Sequence, residues 1–429
     1  MTSTIKVDNI QNQNGETFNT VSWDTTAKTT DFTAVSGKGY FVNTTSTAIT
    51  ATLPASPLAG DTITFSDYTG TFQINNLTID RNGSNIRGSA SNFTLNKENQ
   101  TITLVYVDAT EGWNITQESN NTTNFLDATG GTTTICGDYK IHTFTGPGTF
   151  CVSSLADCSA NNVVDYLVVA GGGGSGSSSS GGGGGGAGGF RESSGTASGC
   201  YSVSPLGACV SALPVTATGY PIVIGSGGTG ICAPVGLGGI ATSGSPSSFS
   251  TIISAGGGFG GSEGPTPRPP CAAASPGGSG GGETSHASAP PSVTGAGNTP
   301  PVSPPQGNPG GLGDTSPGVP TSASGGGGGA TAAGNPGAGS KAGGAGATTS
   351  ISGTPTAYGG GGGGASRTCA EGGGAGGVGG GGKGASGALY DQENGTANTG
   401  GGAGGLRNTG FGVAGNGGSG IVIIRYKYQ

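Results

Sequence analysis

Charge is scarce in this chain. Of 429 residues only 9% are charged, and the formal net charge is −7. The imbalance is spread out: residues 1–123 hold 11 acidic and 6 basic side chains (net −5), and residues 124–429 hold 11 and 9 (net −2). No basic stripe exists to neutralise phosphates, which argues against nucleic-acid binding. No Lys/Arg-rich amphipathic helix suggests a membrane surface. No apolar run reaches the roughly 18 residues of a spanning helix, so no membrane insertion is expected. The opening "MTSTIKVDNIQNQNGETF" has no apolar stretch of the kind that makes a secretory signal. A 3.6-residue apolar period is missing, so essentially no α-helix is expected. Histidine is confined to His142 and His286, and no cysteine sits in a CxxC pair or near a histidine, which argues against zinc. Proline is plentiful but follows no Gly-X-Y period, which excludes collagen.

Glycine is what the chain has: 97 residues, of which 8 fall in the first 123, leaving 97 − 8 = 89 for the rest. The composition breaks near residue 123. Before it, "GYFVNTTSTAITATLPASP" (39–57) and "DTITFSDYTGTFQINNLTIDRNG" (61–83) are rich in Thr, Ile and Phe and are punctuated by turn residues. "TITLVYVDATEGWNIT" (101–116) reads as a hairpin turning at Asp108–Gly112. The expected organisation is an extended attachment or oligomerisation segment over 1–19 and an all-β, sandwich- or barrel-like module over 20–123. A further β segment follows over 124–170, and then a glycine-rich region over 171–429. "DYLVVA" (165–170) and "IVIIRY" (421–426) are β-branched and apolar on both faces, as strands covered on both sides are. They are expected to pair and close the glycine region.

Glycine runs read either as a slack linker or as the fold itself. Against the linker stand the length of the region, the similar size of its runs (181–186, 325–329, 359–364, 379–382) and the apolar segments between them. Helix disfavours glycine by about 1 kcal/mol per residue. Extended polyproline-II-type helices suit it and have no internal hydrogen bonds. Without side chains such helices approach closely, and their N–H and C=O groups can pair with neighbours as buried backbone must. The expectation is a polyglycine-II helix bundle closed by β-strands. The interruptions become loops, "SSSS" (177–180) among them.

Little in the chain suggests chemistry. His142, in "KIHTFTG", reads as structural, and His286, in "ETSHASAPP", as a loop residue. G-x-G-x-x-G recurs by composition alone, and no P-loop GK[ST] exists. Asp391 and Glu393 cannot be placed facing each other as a carboxylate pair. No enzyme activity and no cofactor are expected. Binding then falls to the few large side chains between glycine runs: Arg268, Arg367, Tyr390, Arg407 and Phe411. Arginine suits anionic groups, and aromatics stack on sugars or fill pockets. Phe190, Phe259 and Tyr358 abut glycine runs and read as local packing. Cys151, Cys158, Cys200 and Cys209 are spaced to allow loop-stapling disulfides; buried free thiols are the alternative.

The opening "STIKVDNIQNQNG" (3–15) resembles the start of tail-fibre proteins of marine bacteriophages. "DFTAVSGKGYFVNTTSTAITATLPASPLAGDTITFSDY" (31–68) looks like a β-module of the same proteins. "DYLVVAGGGG" (165–174), "GGGGAGGFR" (183–191), "PPVSPPQGNPGG" (300–311), "TANTGGGAGG" (396–405) and "GGSGIVIIRY" (417–426) are similar to the glycine-rich domain that ends them. The resemblance implies a virion tail-fibre protein, outside the cell after host lysis, that contacts a surface receptor, either a glycan or an outer-membrane protein. Other virion tail proteins and a homotrimer are the further partners it implies. It also implies a layered polyglycine-II tip with receptor-contacting loops, as in the adhesins of T-even-type long tail fibres. The competing reading is a purely structural fibre or filament protein.

Overall fold

A computed structural model describes residues 21–120, 125–199, 201–207, 210–231, 240–262, 273–285, 293–314, 323–408, 410 and 412–429. The described chain is nearly all β. Its only helices are three single-turn 3₁₀ pieces, and it contains no α-helix. It divides into two compact units, Met1–Asn124 and Phe125–Gln429. Of the β segment expected over 124–170 to lead into the glycine-rich region, residues 125–170 belong to the second unit. The attachment segment 1–19 lies outside the described residues.

The first unit contains β1 (Ser22–Lys28), β2 (Phe32–Thr33), β3 (Lys38–Val42), β4 (Ile49–Thr52) and β5 (Thr62–Asp67). It continues with β6 (Leu77–Asp80), β7 (Phe93–Leu95), β8 (Gln100–Asp108) and β9 (Gly112–Asn120). Two sheets form, β1-β3-β5-β8-β9 and β2-β4-β6-β7. From β1 to β6 the chain alternates between them, so β1, β3 and β5 run parallel, as do β2, β4 and β6. One core lies between the sheets, with Val42, Ile63, Phe65 and Leu104 from the first and Ile49, Leu77, Ile79 and Leu95 from the second. The module expected as sandwich- or barrel-like thus consists of two sheets wound by an alternating chain. The β8–β9 hairpin pairs Asp108 with Gly112 as expected. Gly112 is required there: its φ is +69°, and a Cβ would lie 1.8 Å from the Asn85 carbonyl oxygen.

The second unit opens with β10 (Asp127–Thr129), β11 (Thr132–Cys136), β12 (Tyr139–Phe144), β13 (Gly148–Ser154) and β14 (Val163–Val169). Short strands follow: β15 (Ser177–Ser178), β16 (Phe190–Glu192), β17 (Leu213–Pro214), β18 (Gly219–Val223), β19 (Ser247–Phe249) and β20 (Ile252–Ser254). The last are β21 (Ala347–Thr349), β22 (Thr356–Tyr358), β23 (Leu406–Arg407) and β24 (Ile421–Lys427). β24 sits inside the sheet β11-β12-β24-β14-β16 and pairs antiparallel with β14, Asp165 opposite Arg425 and Val169 opposite Ile421. The expected closure by 165–170 and 421–426 is therefore present. Alternation sends Val164, Tyr166, Val168, Val422, Ile424 and Tyr426 into one core, against Phe150, Ile222 and Phe249 of the sheet β10-β13-β18-β19-β20. Leu167, Val169, Ile421 and Ile423 enter another, with Phe190, Ile351 and Tyr358. Both faces are covered, which is why these strands are continuously apolar.

Between β14 and β24 the glycine runs are neither helix nor strand, yet their backbones are extensively bonded to one another. The run 182–189 illustrates the rule. Gly182, Gly185 and Gly188 donate to the carbonyls of Leu406, Ala403 and Gly400. Gly183, Gly186 and Gly189 donate to Gly261, Gly258 and Ala255, and Gly184 and Ala187 to Gly325 and Gly328. The carbonyls of the same run accept from three further runs: Gly176 and Gly173, Gly282 and Ser279, and Ala365 and Gly362. Successive residues thus address different neighbours with a period of three, and six runs surround this one. At Gly185 a side chain has no place: a Cβ there would lie 2.1 Å from the Gly173 carbonyl oxygen.

Candidate loop-end site

Chain direction defines two ends of the glycine body. Gly171–Gly176 leaves β14, and Gly182–Gly189 returns to β16, which pairs with β14 at Val169 and Phe190. The turn at 177–181 is therefore the end remote from the sheet. Backbone bonds place other turns level with it. β15 pairs with β23, so Ser177 and Ser178 lie beside Leu406 and Arg407. The Ser177 N–H reaches the Ser262 hydroxyl, and the Ser285 N–H reaches the Gly181 carbonyl. Ala323 bridges to Ser366, and Ser366 to Ser386. Ser177, Ser178, Ser262, Ser285, Ser324, Ser366 and Ser386 are all buried. A small apolar cluster containing Ala365, Ala385 and Leu406 lies at the same level. This serine layer is where outgoing runs end and turns begin. The reading of 177–180 as a surface loop is corrected for Ser177 and Ser178, because their pairing with β23 places them inside the layer.

Three of the five candidate binding residues stand just beyond the layer. Arg367 follows Ser366 and is exposed. Tyr390 closes the 3₁₀ turn Gly387–Leu389 and is 40% exposed. Arg407 is half-buried, its Nε donating to the Ser179 carbonyl at 3.1 Å. The turns that carry them touch. Gly387 donates its N–H to the Ser366 carbonyl, and a Cβ on Gly387 would lie 2.6 Å from the Cys369 sulfur. A Cβ on Gly412 would lie 2.6 Å from the Tyr390 ring. The Asn408 side-chain oxygen accepts the N–H groups of Gly410 and Gly412, and the Asn408 N–H donates to the Ser178 carbonyl. Arg268 and Phe411 lie outside the described residues.

Two carboxylates at this end are paired with lysines. Lys341 meets Glu371 at 3.6 Å and Lys383 meets Asp391 at 2.9 Å. Burial pushes the Asp391 carboxyl up, but the Lys383 hydrogen bond and charge and the Ser386 N–H outweigh it, and the net shift is down. The hydrogen bond that Lys383 donates to Asp391 raises the Lys383 pKa. Glu393 accepts the Lys383 backbone N–H, so Asp391 and Glu393 converge on one lysine. Among the described residues no group of three or more His, Cys, Asp or Glu could hold a metal ion, and no helix is long and apolar enough to cross a membrane.

The remaining singled-out residues lie elsewhere. His142 is buried between two partners, and His286 lies outside the described residues. Phe190 and Tyr358 are core residues, and Phe259 packs against the cluster near the serine layer. Cys151 and Cys158 carry free thiols and are exposed. They are neither joined to each other nor buried, because Cys151 alternates outward between the core residues Phe150 and Val152. Cys200 and Cys209 lie outside the described residues. The serine layer itself was missed, although its signal is visible in sequence: Ser262, Ser285, Ser366 and Ser386 each close a glycine-containing run.

No curated protein matches this sequence. Residues 145–427, which hold the glycine body and the strands β14, β16 and β24 of its closing sheet, match the glycine-rich domain family, and the chain belongs to that family.

Proposed function

We propose that the chain is a non-enzymatic, cofactor-free receptor-binding protein of a viral tail fibre, and that the second unit is its adhesive tip. The glycine runs read as a polyglycine-II bundle, supported by the period of three and the six bonded neighbours of the run 182–189. The observation that carries the reading is the convergence of turns on the serine layer, with Arg367, Tyr390 and Arg407 beyond it. Recognition concentrates on loops held by a firm framework, and a lattice locked by backbone bonds is one. The first region, with residues 1–19, attaches to other virion tail proteins and assembles a homotrimer. The loops meet a receptor on the host surface.

A second reading, a filament in which the bundle only stiffens, draws support from exposed apolar side chains on outer runs, Leu312 and Val378. Gold-labelled antibody against residues 125–429, imaged on virions, separates the two. Label at fibre ends is expected. Label repeating along fibre sides favours the filament, and particles without label reject both. Antibody fragments against the loop end should also block adsorption.

A further inference from the structure

The first unit carries an aromatic row on the outside of a sheet. In the sheet β1-β3-β5-β8-β9, Tyr40, Val42, Ile63 and Phe65 enter the core. Alternation therefore turns Gly39 and Phe41 of β3 and Ser66 of β5 outward. Trp23 of β1 lies opposite Gly39 and shares that face. Its ring stacks on Phe41 with centroids 4.7 Å apart, and Phe41 meets Tyr68, just past β5, edge-on at 6.2 Å. Trp23 is still 41% exposed and Tyr68 58%. Three adjacent strands thus supply the row, which spans two strand spacings, about 10 Å. Gly39 makes room for the indole: a Cβ there would lie 2.7 Å from Cδ2 and Cε3 of Trp23. Stacked on Phe41 and seated over a glycine, Trp23 is preorganised, which reduces the ordering cost of binding.

Beside the rings the face is polar but uncharged. Across β5 and β8 the hydroxyls of Ser66 and Thr101 pair at 2.9 Å. Past the ends of β3 and β5, Asn43 accepts the Thr69 hydroxyl at 3.3 Å. Charges stand at the borders. Lys38 donates to the Ser22 hydroxyl at 3.2 Å, Asp24 and Lys28 pair with each other at 2.8 Å, and Glu98 lies beside Gly70. The buried Asp67 carboxylate is taken by the N–H groups of Thr69, Thr71, Phe72 and Asn99. An anionic or cationic ligand would therefore find no counter-charge among the rings. A sugar ring matches the pattern: its C–H face is drawn to the electron-rich face of an aromatic ring, and its rim of hydroxyls needs donors and acceptors alongside. Serine is depleted at protein–protein interfaces, so the hydroxyl pair favours a sugar over a protein partner.

We infer that this face binds a neutral oligosaccharide, with Trp23, Phe41 and Tyr68 as its stacking row and Ser66 and Thr101 as hydrogen-bonding partners at its side. The site lies in the first unit and stands or falls separately from the adhesive reading of the second. The chain has two tryptophans, and Trp113 is fully buried, so acrylamide quenching of the full chain reports on Trp23. Uncharged oligosaccharides of glucose, mannose, galactose and N-acetylglucosamine are titrated into the full chain by calorimetry. Binding of at least one is expected, with Trp23 shielded from acrylamide and with no dependence on added salt. Trp23→Ala and Tyr68→Ala should each weaken it at least about tenfold at a melting temperature close to the native chain's. Gly39→Ala, which displaces the indole but keeps it, should weaken binding as well. If Trp23→Ala melts early, Tyr68→Ala decides, and full binding by that variant overturns the stacking row. Failure of every probe to bind overturns the inference, as does binding that leaves Trp23 open to acrylamide or that salt abolishes. Shielding of Trp23 that rises with protein concentration in the absence of sugar gives the face to a second copy of the chain and overturns it too.

Discussion

The Tyr426 hydroxyl donates to Nε2 of His142 at 3.2 Å, with the two rings stacked 5.7 Å apart. The direction follows from the partners. Nδ1 of His142 faces the Gly130 carbonyl at 2.7 Å and must donate, so Nε2 accepts. The Tyr426 oxygen in turn accepts the Ala128 N–H at 3.0 Å. One relay thus ties β10 of one sheet to β12 and β24 of the other through a neutral imidazole. Tyr426→Phe would leave Nε2 and the Ala128 N–H buried and unpaired, at about 1–3 kcal/mol for each such group. Denaturant unfolding of the second unit should shift by that amount, and no shift would mean that water replaces the hydroxyl.

Burial lowers the His142 pKa from its ordinary 6.5, against the raising effect of the Gly130 bond. A base lowered in the fold contributes stability that is complete above about pH 6.5. That stability is lost as pH falls toward the folded value, because the unfolded chain takes up the proton first. His142→Gln should flatten this acid limb in a pH series of melting curves.

Glu192 gives the opposite slope. Burial is the main cause that holds its carboxyl above the ordinary 4.5, outweighing the bonds from Ser204 and Thr349. An acid raised in the fold costs stability once ionised, so its penalty is absent near pH 4.5 and grows as pH rises through the folded value. Glu192→Gln keeps an acceptor for the Ser204 N–H and reverses the bond with Thr349, the amide N–H donating to the hydroxyl that now donates to Glu192. Its unfolding free energy at pH 8 should equal or exceed the native chain's. A marked loss would mean that the ionised form is needed.

Deleting residues 419–429 should abolish folding of the second unit. β24 lies between β12 and β14, so its loss opens two sheet edges. It also removes Ile421, Val422, Ile423, Ile424 and Tyr426 from two cores. At about 1.5–3 kcal/mol per buried side chain, five such losses rival the 5–15 kcal/mol or so that holds a typical domain. Protease resistance of the truncated chain would refute this.

How far the sequence reveals this architecture depends on which interaction organises each part. β14 and β24 announce themselves by apolar residues on both faces, because their partners are side chains. The glycine runs are organised by backbone bonds, which every residue can make, so no residue type names its partner. One trace does survive. Outer runs expose a side chain at every third position, as in Ser226 and Thr229, Pro309 and Leu312, and Ala375 and Val378. The central stretch 181–186, bonded on all sides, is glycine alone. That period distinguishes outer runs from inner ones by residue type alone. It does not reveal which runs are adjacent, and so it could not bring Arg367 beside the Gly387 turn or bury Ser178.

The same contrast gives the sharpest test of the lattice. Gly361 lies in the run 359–364, and a Cβ there would fall 2.2 Å from the Gly327 carbonyl oxygen and 2.6 Å from that of Gly328. Both atoms are backbone and cannot swing aside. Gly361→Val must therefore spread the runs. That strains the bond from Gly361 to Gly344 and the one Gly361 accepts from Gly377. Overpacking costs roughly 1–3 kcal/mol, and each buried group left unpaired adds about 1–3 kcal/mol. Ala375→Val provides the control, since Ala375 already points a side chain to solvent from an outer run; its effect should stay within about 0.5 kcal/mol. Melting of the two variants should differ by several degrees or more, with Gly361→Val partly unfolded at ordinary temperature. Equal melting points would mean that the runs can part without cost, and the bonded lattice would then not be what holds the second unit together.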